Sequence, residues 1–66
     1  MNLSLQEKLD FVFETLKSSD TSVAYFSELT GISRTTIYAW RNGAKGLDRI
    51  RVNLAFGKAQ ELARGA

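Results

Sequence analysis

The chain has 66 residues, of which 44% are hydrophobic, and it carries a formal net charge of +2 with no proline, cysteine or histidine. Such a length allows one folded domain with one modest core and excludes a cleft between two lobes. The missing cysteine and histidine exclude disulfides, thiolate or imidazole catalysis and the common zinc and iron sites, so neither a metal nor another cofactor is expected.

The first helix is predicted from Leu5 to Lys17, because Ser4 and Glu7 have the spacing of a capping box. An apolar stripe for the core follows at intervals of four, three and four residues, formed by Leu5, Leu9, Val12 and Leu16. Phe11 falls on the opposite side together with Thr15. We expect Phe11 to be covered by the C-terminal part of the chain or to belong to an interface.

Two short helices are predicted in the middle of the chain. Ser22 can cap the first of them, from Val23 to Thr30, and Gly31 ends it in a left-handed conformation. Ser33 can cap the next, which runs from Arg34 to about Asn42 and is ended by Gly43.

The last helix is predicted from Asp48 to about Arg64, and Gly57 could kink or divide it. Its apolar residues form two stripes. One consists of Leu47, Ile50 and Leu54, and the other of Val52, Phe56, Ala59 and Ala63. One stripe can complete the core, and the other needs a second surface. That surface is either Phe11 of the same chain or a second copy, through a dimer interface of Val52, Phe56, Ala59, Leu62 and Ala63.

Short helices with a tight turn between the second and the third are typical of a helix-turn-helix. Here the stretch from Phe26 to Gly43, FSELTGISRTTIYAWRNG, resembles the helix-turn-helix of the lambda-repressor and Cro type. The positions that carry the resemblance are Phe26, Ser27, Gly31, Ile32, Ser33, Ile37, Trp40 and Gly43. Two positions depart from the family pattern, since Ser27 stands where alanine is commonest and Arg41 where glutamate is frequent.

The resemblance implies an all-α fold, a compact four- to five-helix lambda-repressor-like DNA-binding domain that spans residues 1–66. The helix-turn-helix would cover about 22–42 and the C-terminal helix about 48–64. In this family the third helix enters the major groove, and members of this size usually bind a near-palindromic operator as two-fold pairs.

The helical repeat of about 3.6 residues per turn places one face of the third helix outward. That face carries Arg34, Thr35, Tyr38, Ala39 and Asn42. Together with Thr36, these are the side chains predicted to contact bases or the groove. Arginine can fork onto guanine, asparagine can pair with adenine, and threonine or alanine can contact a thymine methyl group.

The charges are distributed unevenly along the chain. Residues 1–30 carry two basic and five acidic side chains, whereas residues 31–66 carry seven basic and two acidic ones. A basic second half indicates an anionic partner, with nucleic acid as the first candidate. The residues predicted to contact phosphate are Ser33, Arg41, Lys45, Arg49 and Arg51.

Two functions are consistent with this sequence. The first is a sequence-specific transcriptional regulator that occupies a double-stranded DNA operator, as a homodimer at least when bound. The second is a helix-turn-helix protein-interaction module that acts as antirepressor or co-repressor by binding another regulator. An enzyme is not expected, and the absence of a long apolar run or leader pattern favours a cytoplasmic, nucleoid-associated protein without a membrane partner.

Overall fold

The computed structural model describes residues 2–65, and within them all regular secondary structure is helical. Helix α1 spans Leu5–Ser18, α2 Val23–Thr30, α3 Arg34–Arg41 and α4 Arg49–Ala63. The all-α prediction is therefore confirmed with four helices in this range. Met1 and Ala66 of the predicted domain lie outside the described residues. None of the four helices combines the length and the apolar character that a membrane crossing requires.

The helices begin at the residues whose side chains can cap them. The Ser4 hydroxyl accepts from the Glu7 amide at 3.1 Å, and the Glu7 carboxylate accepts from the Ser4 amide at 2.8 Å, which is the predicted capping box. Ser22, Ser33 and Asp48 cap α2, α3 and α4 in the same general way. These four polar side chains satisfy amide groups that a helix start otherwise leaves without a partner.

A left-handed residue follows each of the four helices, and after α4 it is Gly65 with a φ of +73°. Gly31 follows α2 with a φ of +75° and Gly43 follows α3 with a φ of +83°. After α3 the amides of Gly43 and Ala44 donate to the carbonyls of Trp40 and Ala39, which is a Schellman motif. After α1 the left-handed residue is Asp20, with a φ of +56°, and not a glycine. Aspartate adopts this conformation more readily than most residues with a side chain, and the Thr21 amide donates to the Leu16 carbonyl at 2.9 Å across the same turn.

The core lies where the four helices meet. Its fully or almost fully buried apolar side chains come from every helix and from the turn before α3: Leu9, Val12, Leu16, Phe26, Ile32, Ile37, Trp40, Val52, Ala55 and Ala59. Helix α4 packs chiefly against α1, and α2 packs against both α3 and α4. Thr15, which was predicted to face outward, is buried.

The stripe of α4 that contains Val52 and Ala59 faces the core of the same chain, and the stripe that contains Ile50 and Leu54 faces outward. Val52 and Ala59 of the predicted dimer interface are completely buried within one chain, together with Ala55. A second copy therefore cannot reach them, and the predicted dimer interface is wrong for Val52 and Ala59. Phe56 and Leu62 pack partly buried against the same core, and Ala63 is exposed.

Phe56 covers Phe11, as the alternative interpretation of this stripe predicted. The two rings meet edge to face with centroids 5.3 Å apart, a favourable arrangement for aromatic side chains. The Lys8 ammonium lies 5.7 Å from the centre of the Phe56 ring and donates to the Asn53 side-chain oxygen at 2.6 Å. These contacts fasten α1 to α4 at the edge of the core. Helix α4 continues through Gly57 without a break.

Candidate nucleic-acid interface

The turn between α2 and α3 consists of three residues, Gly31, Ile32 and Ser33, and hydrogen bonds hold it on both sides. The Gly31 amide donates to the Ser27 carbonyl at 2.8 Å, and the Ser27 hydroxyl donates to the Ile32 carbonyl at 2.5 Å. The Thr30 hydroxyl donates to the Phe26 carbonyl at 2.9 Å and accepts from the Ile32 amide at 3.2 Å. Because these groups satisfy the polar backbone of the turn, the start of α3 is fixed relative to α2.

Ser27 gains a structural role from these contacts. Because α3 packs against α2, a small residue suits this position, and an alanine would meet that requirement. The hydroxyl adds a hydrogen bond to the Ile32 carbonyl across the turn, which alanine could not make. This contact explains why serine is compatible with the position.

Helix α3 is anchored by its inner face. The Ile37 side chain is completely buried and Trp40 is 5% exposed, so both contribute to the core. Ser33 accepts from the Thr36 amide at 3.2 Å at the start of the helix. A short helix of eight residues held in this way presents its outer face in a defined orientation.

The outer face of α3 brings together five of the six side chains predicted to contact bases or the groove. These exposed residues are Arg34, Thr35, Tyr38, Ala39 and Asn42. Tyr38 is 46% exposed, so a large part of its surface faces solvent. Asn42 stands just beyond the helix as its C-cap, while Arg34 occupies the first turn. We call these five residues the α3 outer face.

Thr36 differs from the other five. Its side chain is half-buried, and its hydroxyl lies 2.9 Å from the Ser33 hydroxyl. Ser33 thus has two partners in Thr36, the amide and the hydroxyl. If Thr36 is the donor in the hydroxyl pair, the Ser33 proton is free for an external acceptor. Ser33 and Thr36 therefore lie at the start of α3, and their hydrogen bonds to each other in the cap use much of their capacity to bind another group.

The basic side chains of α3 and of the segment that follows it in the chain fall into two groups. Within residues 2–65, Arg34, Arg41, Lys45 and Arg49 are exposed and make no ion pair. Arg51 is paired with the Asp48 carboxylate, which also accepts from the Ile50 and Arg51 amides. The positive charge of Arg51 is therefore partly offset within the chain, and the other four cations remain available to an anion.

The pairing also affects Asp48. Partial desolvation acts to raise the pKa of the Asp48 carboxyl, but the hydrogen bonds from the Arg51 side chain and from the Arg51 and Ile50 amides outweigh it. The pKa of Asp48 is consequently lowered from its ordinary value. The sequence contains a signal for this pair, an N-cap aspartate with an arginine three residues later.

An open groove of about 820 Å³ adjoins one edge of α3. Tyr38 and Arg41 line it from α3. Three carboxylate residues and one lysine line it from α1 and the following loop: Asp10, Glu14, Asp20 and Lys17. Carboxylates near Arg41 oppose the approach of a phosphate on that side. Arg41 thus differs electrostatically from Arg34 and Lys45, a distinction that the one-dimensional sequence did not reveal.

Comparison with known proteins returned no match to any protein family model, to any curated protein or to any solved structure.

Proposed function

We propose that this protein is a sequence-specific DNA-binding transcriptional regulator of the Cro or small-repressor kind. In this proposal α2, the three-residue turn and α3 act as a helix-turn-helix, and α3 enters the major groove of an operator. The observation that carries the proposal is the α3 outer face. It combines side chains that can read bases with a helix whose inner face is fixed in the core.

The side chains of this face suit the edges of base pairs. Arg34 has a free guanidinium that can donate two parallel hydrogen bonds to guanine, and Asn42 can donate to and accept from adenine. The Tyr38 ring and the Ala39 methyl group can contact a thymine methyl group. Because these residues extend over two turns of helix, they would span several successive base pairs.

Unpaired cations that follow α3 in the chain would bind the flanking phosphates. Lys45 lies in the loop after α3, and Arg49 opens α4. Together with the amides at the start of α3, these groups offer positive potential to the DNA backbone on both sides of the groove. Arg41 and Arg51 would contribute less. Carboxylates lie in the same groove as Arg41, and the Asp48 carboxylate is paired with Arg51. Binding to an operator would then block access of RNA polymerase.

The decisive experiment is selection of binding sites from a random DNA library by the purified protein, at a low and at a high salt concentration. We expect one recurring sequence at low salt and a steep loss of affinity as salt rises, because each phosphate contact releases a counterion. Absence of enrichment and of any binding at low salt would contradict the proposal.

One observation favours a second candidate function, a helix-turn-helix module that binds another regulatory protein. The groove beside α3 joins three carboxylate residues to Tyr38 and Arg41, and mixed charge of this kind is common at protein interfaces. An antirepressor or co-repressor would give no DNA enrichment alone. It would alter the DNA binding of a second repressor in the same assay.

A further inference from the structure

The end of α3 contains an exposed asparagine that is followed directly by a glycine. Asn42 is the C-cap of α3, and Gly43 comes next with a φ of +83°. The chain has two other asparagines, Asn2 and Asn53, and a leucine follows each of them. The backbone nitrogen after an asparagine can attack the carbonyl carbon of the asparagine side chain. Glycine hinders this attack least, because it has no β-carbon.

We propose that Asn42 is a site of spontaneous deamidation. The Gly43 backbone nitrogen forms a bond to the carbonyl carbon of the Asn42 side chain. The side-chain nitrogen leaves as ammonia with the proton that Gly43 gives up, and a cyclic imide remains. Water then opens the imide at one of its two carbonyl groups, which yields aspartate or isoaspartate. The reaction consumes one water, releases one ammonia and needs no oxidant or reductant.

The folded turn after α3 restrains this reaction. The Gly43 amide donates to the Trp40 carbonyl at 3.1 Å, and the Ala44 amide donates to the Ala39 carbonyl at 2.9 Å. Asn42 has a ψ of 11°, so its backbone must rotate before the Gly43 nitrogen reaches the side chain. Transient opening of the turn therefore precedes the reaction, and a helix end opens more easily than the core.

The other asparagine in a helix is restrained more strongly. Asn53 lies within α4, and its side-chain oxygen accepts from the Lys8 ammonium at 2.6 Å. The next residue, Leu54, has a side chain that hinders the attacking nitrogen. Asn53 thus serves as a control within the same molecule.

Either product changes the α3 outer face. A carboxylate replaces an uncharged amide at the C-terminal end of a helix, where negative charge is unfavourable. Isoaspartate also adds a methylene group to the backbone inside the turn that the Trp40 and Ala39 carbonyls close. The effect on DNA binding rests on the proposed function: the donor to adenine is lost, and the new charge repels phosphates. The reaction itself does not depend on that function.

Peptide mapping by mass spectrometry tests the reaction. The purified chain is incubated at mildly alkaline pH, once folded and once unfolded in urea. We expect deamidation at Asn42, with aspartate and isoaspartate separated by chromatography, while Asn2 and Asn53 stay intact. The folded chain should react at least about tenfold more slowly, because two backbone hydrogen bonds must open. Deamidation at Asn2 or Asn53 as fast as at Asn42, or equal rates in both samples, would overturn the proposal. So would a folded chain still intact at Asn42 after about a hundred half-lives of the unfolded reaction.

DNA binding of three variants tests the consequence. Asn42→Asp, which has the product side chain, should bind a selected operator about 5- to 150-fold more weakly than the freshly prepared chain. Gln60→Glu makes the same amide-to-acid change at an exposed position of α4 and should have only a small effect. Asn42→Gln keeps the amide but would have to close a larger ring, so incubation should not change its mass or its affinity.

Unchanged binding by Asn42→Asp, or an equal loss in Gln60→Glu, would overturn the claimed effect on the α3 outer face. If the fresh chain binds no DNA at all, the proposed function fails, and the peptide mapping still decides whether Asn42 deamidates.

Discussion

Arg34 is the side chain of α3 that, in the proposed function, donates two parallel hydrogen bonds to a guanine. It stands in the first turn after the Ser33 cap, it is exposed, and no carboxylate within residues 2–65 pairs with it. Its guanidinium therefore loses no intramolecular contact on binding an external acceptor. A substitution there should affect recognition without affecting folding.

We predict that Arg34→Ala weakens binding to a selected operator by about 1–3 kcal/mol, or about 5- to 150-fold in the dissociation constant, because a bidentate contact to guanine is lost. Fluorescence anisotropy with a labelled duplex measures the change. Arg64→Ala, which removes the same charge at the C-cap of α4, is the control and should have only a small effect. Equal losses in both variants would indicate that net charge alone determines binding.

At the scale of whole elements, helix ends and inner faces could be predicted from sequence. Ser4 with Glu7, Ser22 and Ser33 start their helices as expected, and Gly31 and Gly43 end theirs. These features are local, because a cap is satisfied by amides two or three residues away. The outward direction of the α3 outer face followed from Ile37 and Trp40, whose apolar side chains had to face the core.

The inner side of α4 could not be chosen in the same way. Both stripes are apolar, and each contains large side chains that could complete a core. The structure buries Val52, Ala55 and Ala59 and packs Phe56 and Leu62 against the same core. Which stripe faces inward depends on its fit against α1, where the Phe56 ring meets the Phe11 ring. The groove that combines Asp10 with Arg41 likewise depends on tertiary packing between residues distant in sequence.

The turn before α3 allows a test with a matched pair of glycines. Gly31→Ala should lower the free energy of unfolding by about 1 kcal/mol, because the positive φ of Gly31 is unfavourable for a residue with a β-carbon. Gly57→Ala should raise it by about 0.5–1 kcal/mol, since alanine is the better helix former. Neither β-carbon would meet another atom. Urea unfolding at a concentration where the chain is monomeric gives both values, and changes of equal sign would contradict this explanation.

The start of α4 should contribute to stability in a pH-dependent manner. The lowered pKa of Asp48 means that the folded state favours the ionised carboxylate. Its contribution is therefore fully present above the unfolded pKa of about 3.9 and is lost as the pH falls through the lower folded pKa. Asp48→Asn keeps a capping side chain but removes the charge and the titration.

Thermal unfolding of the unchanged chain and of Asp48→Asn between about pH 2 and pH 7 measures this contribution. We expect the unchanged chain to have the higher midpoint above about pH 5 and the difference to shrink below about pH 4. A difference that does not vary with pH would show that the Asp48 charge contributes nothing to the stability of α4.

Over the whole molecule, the acidic and basic halves of the sequence combine into a surface of mixed charge. The described residues extend over about 31 × 30 × 17 Å, which is comparable to the length of one turn of DNA, about 34 Å. Arg34, Lys45 and Arg49 present free cations, whereas Asp10, Glu14 and Asp20 line the groove at the edge of α3. Only an orientation that turns these carboxylates away from the phosphates is favourable for DNA binding.

A nuclear magnetic resonance titration of the isotope-labelled protein with a selected duplex at low salt tests most directly whether the α3 outer face binds DNA. We predict that the largest amide shifts occur from Ser33 to Asn42 and at Lys45 and Arg49, while Asp10 and Glu14 on α1 change little. No shift at any amide, or shifts centred on α1 and its carboxylates, would contradict the claim that the α3 outer face binds DNA.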